Sequence, residues 1–218
     1  MHRGGAAQRP LPRGPHNLTR DDVLASQRHR MTDAMSATVA DKGYAGTTVG
    51  DVVSGAGVSR KTFYEHFSDK EECFLAAFDA GVEALLAAIV AAEPEEQGWL
   101  GVLHARVRGY LSALAARPGF ARMFLLEVYA AGPRALERRQ LVQGRFEQLL
   151  ANLHADTRRE YPGLPVPADV VWTAAVGAVD EVVSQHVRDG NADLPALEDD
   201  LVRILVALFG VPRGGPDA

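Results

Sequence analysis

Residues 47–70 read TTVGDVVSGAGVSRKTFYEHFSDK and divide into two short helices joined by a tight turn. Thr48 can cap the first helix, since Asp51 three residues later completes a capping box. Gly55 and Gly57 are expected to end this helix and supply the turn, since glycine takes left-handed backbone angles without steric cost. Ser59 can cap the second helix. The stretch therefore predicts a helix, a glycine turn and a second helix.

The second helix combines an apolar face with a polar first turn. Phe63 and Phe67, four residues apart, are expected to hold it against the rest of the protein. The polar or amphipathic positions at its start are Ser59, Arg60, Lys61, Thr62 and Tyr64. Two helices of this kind, with exposed basic and hydroxyl groups opening the second, are typical of the helix-turn-helix of DNA-binding proteins.

Residues in and around this segment also carry a family resemblance. They are Gly43-Tyr44, Thr47-Thr48, Ala56-Gly57-Val58-Ser59, Thr62-Phe63-Tyr64, His66-Phe67 and Lys70-Glu71. Over residues 28–78 the sequence resembles the N-terminal domain of TetR-type transcriptional regulators. Val53 departs from that pattern, because it stands where the family usually places alanine between the two helices, and the N-terminal extension is long.

The resemblance implies an all-α fold, with a three-helix DNA-binding domain followed by a larger helical domain. Residues 1–18, rich in Gly, Pro and Arg, are expected to be a disordered arm that either reaches DNA or is a passive tail. The helix-turn-helix domain is expected over residues 19–70 and the effector-binding and dimerisation domain over residues 71–211. Residues 212–218 form a tail.

The spacing of apolar residues and helix breakers predicts about nine helices. The first is expected from Arg20 to Lys42, with Thr19 and Asp22 at its cap and Ser26 as a place where it could be interrupted. Ser68 and Glu71 form a capping box before a long helix that runs from about residue 69 to 92. Amphipathic segments follow at about 98–116, 118–131, 133–157, 167–189 and 194–210.

The start of the second helix in the helix-turn-helix is expected to face the major groove. Ser59, Arg60, Lys61 and Thr62 are then candidates for base edges and flanking phosphates, with Arg60 best suited to guanine. The resemblance implies that Tyr64, His66 and either Thr47 or Thr48 donate to phosphates, and that Lys70 adds a charge at the edge. The alternatives are a solvated face for Arg60 and Lys61, and a structural histidine at His66.

The charge distribution agrees with this placement. The net charge is −5, but residues 1–70 hold 10 Lys and Arg against 7 Asp and Glu, whereas residues 71–218 hold 13 against 21. A mildly basic N-terminal part on an acidic body places positive charge only where phosphates are met.

Composition favours a soluble cytoplasmic protein of ordinary hydrophobic content. Cys73 is the one cysteine, so an intramolecular disulfide is excluded, and we expect a small apolar role for it rather than redox sensing. We expect no leader peptide and no apolar run near the ~18 residues that a membrane span needs.

Enzymatic function is not expected, and neither is a cofactor or a metal. The seven histidines are scattered without metal-ligand spacing. No Gly-x-Ser-x-Gly elbow or Walker-type loop is present, and Arg60 occupies the third glycine position of the partial dinucleotide pattern that begins at Gly55.

The last two segments predict self-association. Apolar and small residues in segment 167–189 cover more than one helix face, and those in segment 194–210 do the same. Two helices from each subunit could pack as a four-helix interface, which is the usual dimer mode of the resembled family. The alternative is that both helices are buried within one subunit.

The middle helices are expected to surround a hydrophobic small-molecule effector, since large apolar residues there are accompanied by few polar ones. The candidate ligand-binding residues are Tyr110, Phe124, Glu127, Val128, Trp172 and Val176. Core packing is the alternative for each of these residues, and for Glu127 an ion pair with Arg122 or Arg145 is the preferred interpretation.

The sequence thus predicts a homodimeric regulator that binds a palindromic double-stranded operator and is released by a ligand. Two other classes stay open. One is a ligand-independent DNA-binding activator or architectural factor, and the other is a helical small-molecule-binding protein without DNA binding.

Overall fold

The computed structural model describes residues 19–191 and 193–210, and these form α-helices and two 3₁₀ turns without a strand. The expected arm 1–18 and tail 212–218 lie outside the described residues. The α-helices are α1 Arg20–Gly46, α2 Val49–Ala56, α3 Arg60–His66, α4 Lys70–Ala91, α5 Trp99–Ala116, α6 Pro118–Leu125, α7 Pro133–Glu160, α8 Asp169–Arg188 and α9 Glu198–Phe209, with 3₁₀ turns at Glu127–Ala130 and Leu194–Leu197. The all-α prediction is confirmed.

Helix α1 follows its sequence signals closely. Thr19 caps it, and the Asp22 carboxylate accepts the Thr19 backbone N–H at 2.9 Å. Gly43, at φ +71°, interrupts the helical backbone, so the regular part ends where the sequence predicted. No interruption occurs at Ser26, and that part of the prediction is wrong. The apolar stripe of Met31, Met35 and Val39 is fully buried.

Helix α4 is the central element of the fold. Phe74, Phe78 and Leu85 of α4 are buried in a core that runs without a break from α1 to α9. The expected capping box is shifted by one residue: Asp69 accepts the Glu72 backbone N–H at 2.8 Å, while Glu72 accepts the Ser68 backbone N–H at 2.7 Å. The boundary at residue 70 between two domains stays a prediction, since one core spans it.

Helix α4 also contradicts the expectation about apolar runs. An 18-residue window of this helix has mean hydropathy 2.0, enough by length and composition to cross a membrane, but 56% of the window is buried in the fold. The core helix of a folded protein has the same composition, and Phe74 and Phe78 show that this is its role here. In the described ranges it is the one helix with this property.

Two predicted segments are divided in the structure. Segment 118–131 breaks at Leu126 into α6 and a 3₁₀ turn, and segment 194–210 consists of a 3₁₀ turn followed by α9. Helix α7 extends three residues beyond its predicted end at residue 157. Helices α5 to α9 together form the body of the protein, with α6 packed against α1.

Candidate nucleic-acid interface and effector cavity

The turn between α2 and α3 has the geometry that its residues predict. Thr48 and Asp51 form the reciprocal capping box, with the Asp51 carboxylate accepting the Thr48 backbone N–H at 2.9 Å. Gly57 adopts φ +62°, and the Val58 N–H donates to the Val53 carbonyl at 3.1 Å, which closes the end of α2. Gly55, which was also expected to end α2, lies within that helix. Local hydrogen bonds therefore form the turn, and Arg30 of α1 adds a long-range one by donating to the Ala56 carbonyl at 2.7 Å.

Helix α3 presents one face to the core and the other to solvent. Phe63 and Phe67 are 0% and 1% exposed, respectively. On the opposite side, the Lys61 side chain is 87% exposed and Tyr64 is 55% exposed. Arg60 is likewise exposed. The buried rings fix the rotation of α3, so its cationic first turn is directed outward.

The Ser59 hydroxyl is used in the cap of α3. It accepts the Thr62 backbone N–H at 3.0 Å and lies 2.9 Å from the Thr62 hydroxyl. Both residues keep contact with solvent, Ser59 as an exposed and Thr62 as a half-buried residue. Their hydroxyls can therefore still approach a ligand beside the first turn of α3.

The remaining predicted DNA contacts are held in place by protein groups. Thr47 is buried, and its hydroxyl donates to the Gly43 carbonyl at 2.8 Å, so of the two candidate threonines only Thr48 is exposed. The His66 Nε2 lies 3.2 Å from the Gln27 Oε1. Burial, with a smaller effect from the Arg28 charge, lowers the pKa of His66, so near neutral pH this ring is uncharged.

Lys70 makes structural hydrogen bonds in addition to carrying a positive charge. Its ammonium donates to the carbonyls of Tyr44 and Thr47 at 2.9 and 3.0 Å and lies 4.1 Å from the centre of the Tyr44 ring. We refer to residues 43–47 as the corner, because they join α1 to α2. From the opposite side, Glu127 accepts the Tyr44 backbone N–H at 2.9 Å. The corner is thus bound both by α4 and by the turn after α6.

Sequence inspection missed Lys42, which lies beside the start of α2. Its ammonium is 2.6 Å from the Asp51 carboxylate, and this hydrogen bond, with those from Thr48, holds the pKa of Asp51 well below its usual range. The Lys42 side chain remains 46% exposed. Because Lys42 reaches the capping box of α2, it adds positive charge to the same edge of the helix-turn-helix.

A partly open cavity of about 320 Å³ lies between helices α4 to α9. Tyr110, Phe124 and Val176, three of the predicted ligand-binding residues, line it. Most of the remaining wall is aliphatic or aromatic: Ile89, Val90, Val102, Leu103, Val107, Val142, Phe146, Leu149, Leu150, Leu153, Val179, Leu201 and Leu205. Its size lies within the range of small-molecule pockets, about 300–1,000 Å³.

Three predicted ligand residues lie outside this wall. Glu127 bonds to the corner and pairs with Arg122 at 3.4 Å, in agreement with the preferred structural interpretation. Val128 is fully buried in the core. Trp172 packs edge-on against the rings of His154 and Phe209. The apolar residues of α8 surround much of that helix, so the sequence alone did not determine which of them face inward.

A buried ion pair in the cavity wall was missed by the sequence inspection. Arg139 is 3% exposed; it donates to Asp180 and, at 3.0 Å, to the Phe124 carbonyl. Its guanidinium also lies 4.9 Å from the centre of the Tyr129 ring. The signal was present, because Arg139 falls four residues after the buried Ala135 and three before the buried Val142, on the inward face of α7.

Helices α8 and α9 each leave a small or aliphatic surface uncovered. On α8 it is formed by Val170, which is 70% exposed, and by exposed Ala174 and Gly177. On α9, Ala207 is exposed and Ile204 half-buried. The alternative that both helices are wholly buried within one subunit does not hold for these residues.

Comparison with known proteins agrees with this architecture. Residues 32–77 match the family described as "Bacterial regulatory proteins, tetR family". The HTH-type transcriptional repressor AcnR of Corynebacterium diphtheriae is 27% identical over 182 residues, covering 78% of this chain and 86% of AcnR.

Two solved structures share the fold over most of the chain. The fatty acid degradation regulator FadR from Bacillus halodurans has a TM-score of 0.73 at 23% identity and covers 82% of this chain and 94% of its own. The regulator FadR from Bacillus subtilis, solved with stearoyl-CoA, has a TM-score of 0.69 at 20% identity and covers 82% and 97%. With the helix-turn-helix geometry at residues 47–67, these matches show that residues 32–77 are a DNA-binding domain of the TetR family, in a chain that has the fold of transcriptional regulators of that type.

Proposed function

We propose that this protein binds a palindromic operator as a homodimer and represses transcription until an apolar effector enters the cavity. The observation that carries the proposal is the orientation of α3. Its aromatic face is locked in the core, so Arg60, Lys61 and Tyr64 project together from the protein surface. A short helix held in this way, with its N-terminal residues exposed, fits the major groove.

The side chains of this surface divide into base and phosphate contacts. Arg60 can form a bidentate pair with guanine. Lys61 and Tyr64 are suited to phosphate oxygens, as is Thr48 at the start of α2, where the helix terminus also favours an anion. Lys70 supports these contacts by holding the backbone carbonyls of Tyr44 and Thr47. The His66 ring is positioned by the Gln27 side chain.

A homodimer follows from the uncovered surfaces of α8 and α9. Ala174 and Gly177 carry little side chain, so a second copy of α8 could approach closely along this stripe. A two-fold axis through the interface would place two α3 helices against half-sites separated by one helical turn of DNA or a multiple of it. This supports a palindromic operator.

The effector part of the proposal rests on the cavity and on its connections. Phe124 on α6 lines the cavity, and Glu127, three residues later, accepts a hydrogen bond from the corner. A ligand that favours one position of α6 and α4 would thus shift the corner and, with it, α3. The Bacillus subtilis relative was solved with stearoyl-CoA and the Corynebacterium relative is a repressor, which supports an apolar effector and repression here.

Selection of bound sequences from a random duplex library tests the DNA part. We expect the purified protein to enrich a palindrome. The double variant Lys61→Ala with Tyr64→Phe should lose binding to that palindrome without unfolding. Tyr129→Phe is the matched control, since Tyr129 is also 55% exposed but lies in the body. Enrichment of no sequence, or undiminished binding by the double variant, would contradict the proposed interface.

Two alternatives predict different results when DNA binding and ligand binding are both measured. A ligand-independent activator or architectural factor would bind DNA but show no change when an effector fills the cavity. A helical small-molecule-binding protein would bind ligand and no specific DNA. The exposed cationic turn of α3 favours a DNA-binding function over the second alternative.

A further inference from the structure

The cavity wall is mostly apolar, and three of its polar residues form a group. The other polar residues that line it are Arg106, Gln143, Asn152 and Asp156. Tyr110 on α5 is 8% exposed and lines the cavity, as do Asp180 on α8 and Arg139 on α7. Tyr110 is held by an edge-to-face contact between its ring and that of Phe146, with centroids 6.0 Å apart. Asp180 and Arg139 are the charged groups that act on its hydroxyl.

The charges in this region are already matched. Arg139 donates to Asp180 and to the Phe124 carbonyl, and its guanidinium lies over the rings of Phe124 and Tyr129. Only Oδ2 of Asp180 takes part in the pair with Arg139. Asp180 keeps 21% of its side chain exposed, so its carboxylate can accept a further hydrogen bond.

Tyr110 remains a neutral phenol in this environment. Burial, with a smaller effect from the Asp180 charge, raises the pKa of Tyr110. A neutral phenol can both donate and accept, whereas a carboxylate only accepts. A ligand group that donates to Asp180 and accepts from Tyr110 would satisfy both at once.

Resting on the proposed effector role of this cavity, we propose that the effector is an uncharged apolar molecule with a hydroxyl group, bound by Tyr110 and Asp180. A ligand carboxylate at this position would bring a second anion beside Asp180, whose charge Arg139 already balances. A hydrocarbon would displace water from Tyr110 and Asp180 without replacing its hydrogen bonds. An alcohol or phenol avoids both costs.

The test compares matched probes by calorimetric titration of the full-length protein. The pairs are 1-decanol with decanoate, and 2-naphthol with 2-naphthoate. We expect the hydroxyl member of at least one pair to bind about 10-fold more tightly than its carboxylate. Equal affinity, or preference for the carboxylate in both pairs, would overturn the inference.

Single substitutions test the contributions of Tyr110 and Asp180 to ligand binding separately. Tyr110→Phe removes only the hydroxyl and should weaken binding of the preferred alcohol about 10-fold. Tyr64→Phe, on the DNA-binding side, is the matched control and should bind the alcohol as the wild type does. Unchanged alcohol binding by Tyr110→Phe would overturn the inference.

Asp180→Asn provides an independent measurement. It leaves Arg139 without an anionic partner, so a ligand carboxylate could take the place of the lost charge. We expect decanoate to gain at least about 10-fold in affinity relative to 1-decanol in this variant. An unchanged ratio in a variant that is folded by circular dichroism would also overturn the inference.

These outcomes distinguish the inference from the proposed function. Tighter binding of the carboxylates, or an alcohol affinity that is unchanged in Tyr110→Phe, contradicts the polar site. Either result still leaves the cavity as an effector site. Failure of all four probes to bind would overturn both the inference and the effector role. Binding to the operator is measured separately and is independent of either result.

Discussion

Removal of the Glu127 side chain should destabilise the protein measurably, because this carboxylate links two parts of the fold. Glu127 accepts the backbone N–H of Tyr44 and pairs with Arg122. In Glu127→Ala the N–H loses its partner in a half-buried place, which costs about 1–3 kcal/mol. The lost ion pair adds about 1 kcal/mol at most, since Arg122 is 42% exposed. We therefore expect a loss of about 2 kcal/mol.

Urea denaturation at fixed protein concentration measures this loss. With a slope of about 2–3 kcal/mol per M, the midpoint should fall by about 0.7–1 M. Glu127→Gln keeps an acceptor for Tyr44 and should lose less than half as much. Glu137→Ala, an exposed glutamate on α7, is the matched control and should leave the midpoint unchanged. If the Ala and Gln variants at Glu127 were equally stable, the hydrogen bond to the corner would contribute nothing and the reasoning would be refuted.

Three further predictions concern the core. In Gly81→Ala the new Cβ would lie 2.1 Å from the Phe120 ring, so we expect chemical denaturation to show a destabilisation of about 1–3 kcal/mol. Gly144 has open space around the position of a Cβ, so Gly144→Ala should stabilise the protein by up to about 1 kcal/mol. Burial raises the pKa of the Cys73 thiol to about 12, so this thiol should resist aromatic disulfide reagents until the protein unfolds; rapid labelling of native protein would contradict this. Burial lowers the pKa of His154 below its unfolded value of 6.5, so its contribution to stability is complete above pH 6.5 and is lost as the pH falls below it. The melting temperature should decrease between pH 7.5 and 5.5, less steeply in His154→Gln, and equal slopes would contradict the assignment.

Local signals were sufficient for the helix-turn-helix. The capping box of Thr48, the left-handed Gly57 and the cap of Ser59 involve residues at most a few positions apart, so the sequence contains all of the determinants. The start of α4 was less certain, because two neighbouring residues offer equivalent local signals. Both Ser68 and Asp69 are cap-forming residues with an acidic residue three positions later, and the sequence alone does not choose between the two registers.

Long-range contacts explain what the sequence did not predict. The break after α6 has no glycine or proline at Leu126; at this point Arg139 from α7 binds the Phe124 carbonyl. The cavity wall likewise depends on how α8 is rotated, and its apolar residues occur on several faces. Trp172 therefore turned toward His154 rather than into the cavity, which no local pattern indicated.

The C-terminal end of α4 is attached to α5, and this attachment determines how far the other end of the helix can move. Arg106 donates to the carbonyls of Ile89 and Ala92 at 2.7 and 3.3 Å, and Gly109 allows α5 to approach this end of α4 closely. The opposite end, at Lys70, carries the corner. A helix of this length is about 33 Å long, so a rotation of only about 5° about its fixed end displaces Lys70 by about 3 Å. Across a two-fold axis, the separation of two such ends would change by about 6 Å, against an operator spacing of about 34 Å. In the proposed regulator, a rotation too small to disturb side-chain packing near Arg106 would thus produce a much larger displacement at the DNA-binding end of α4.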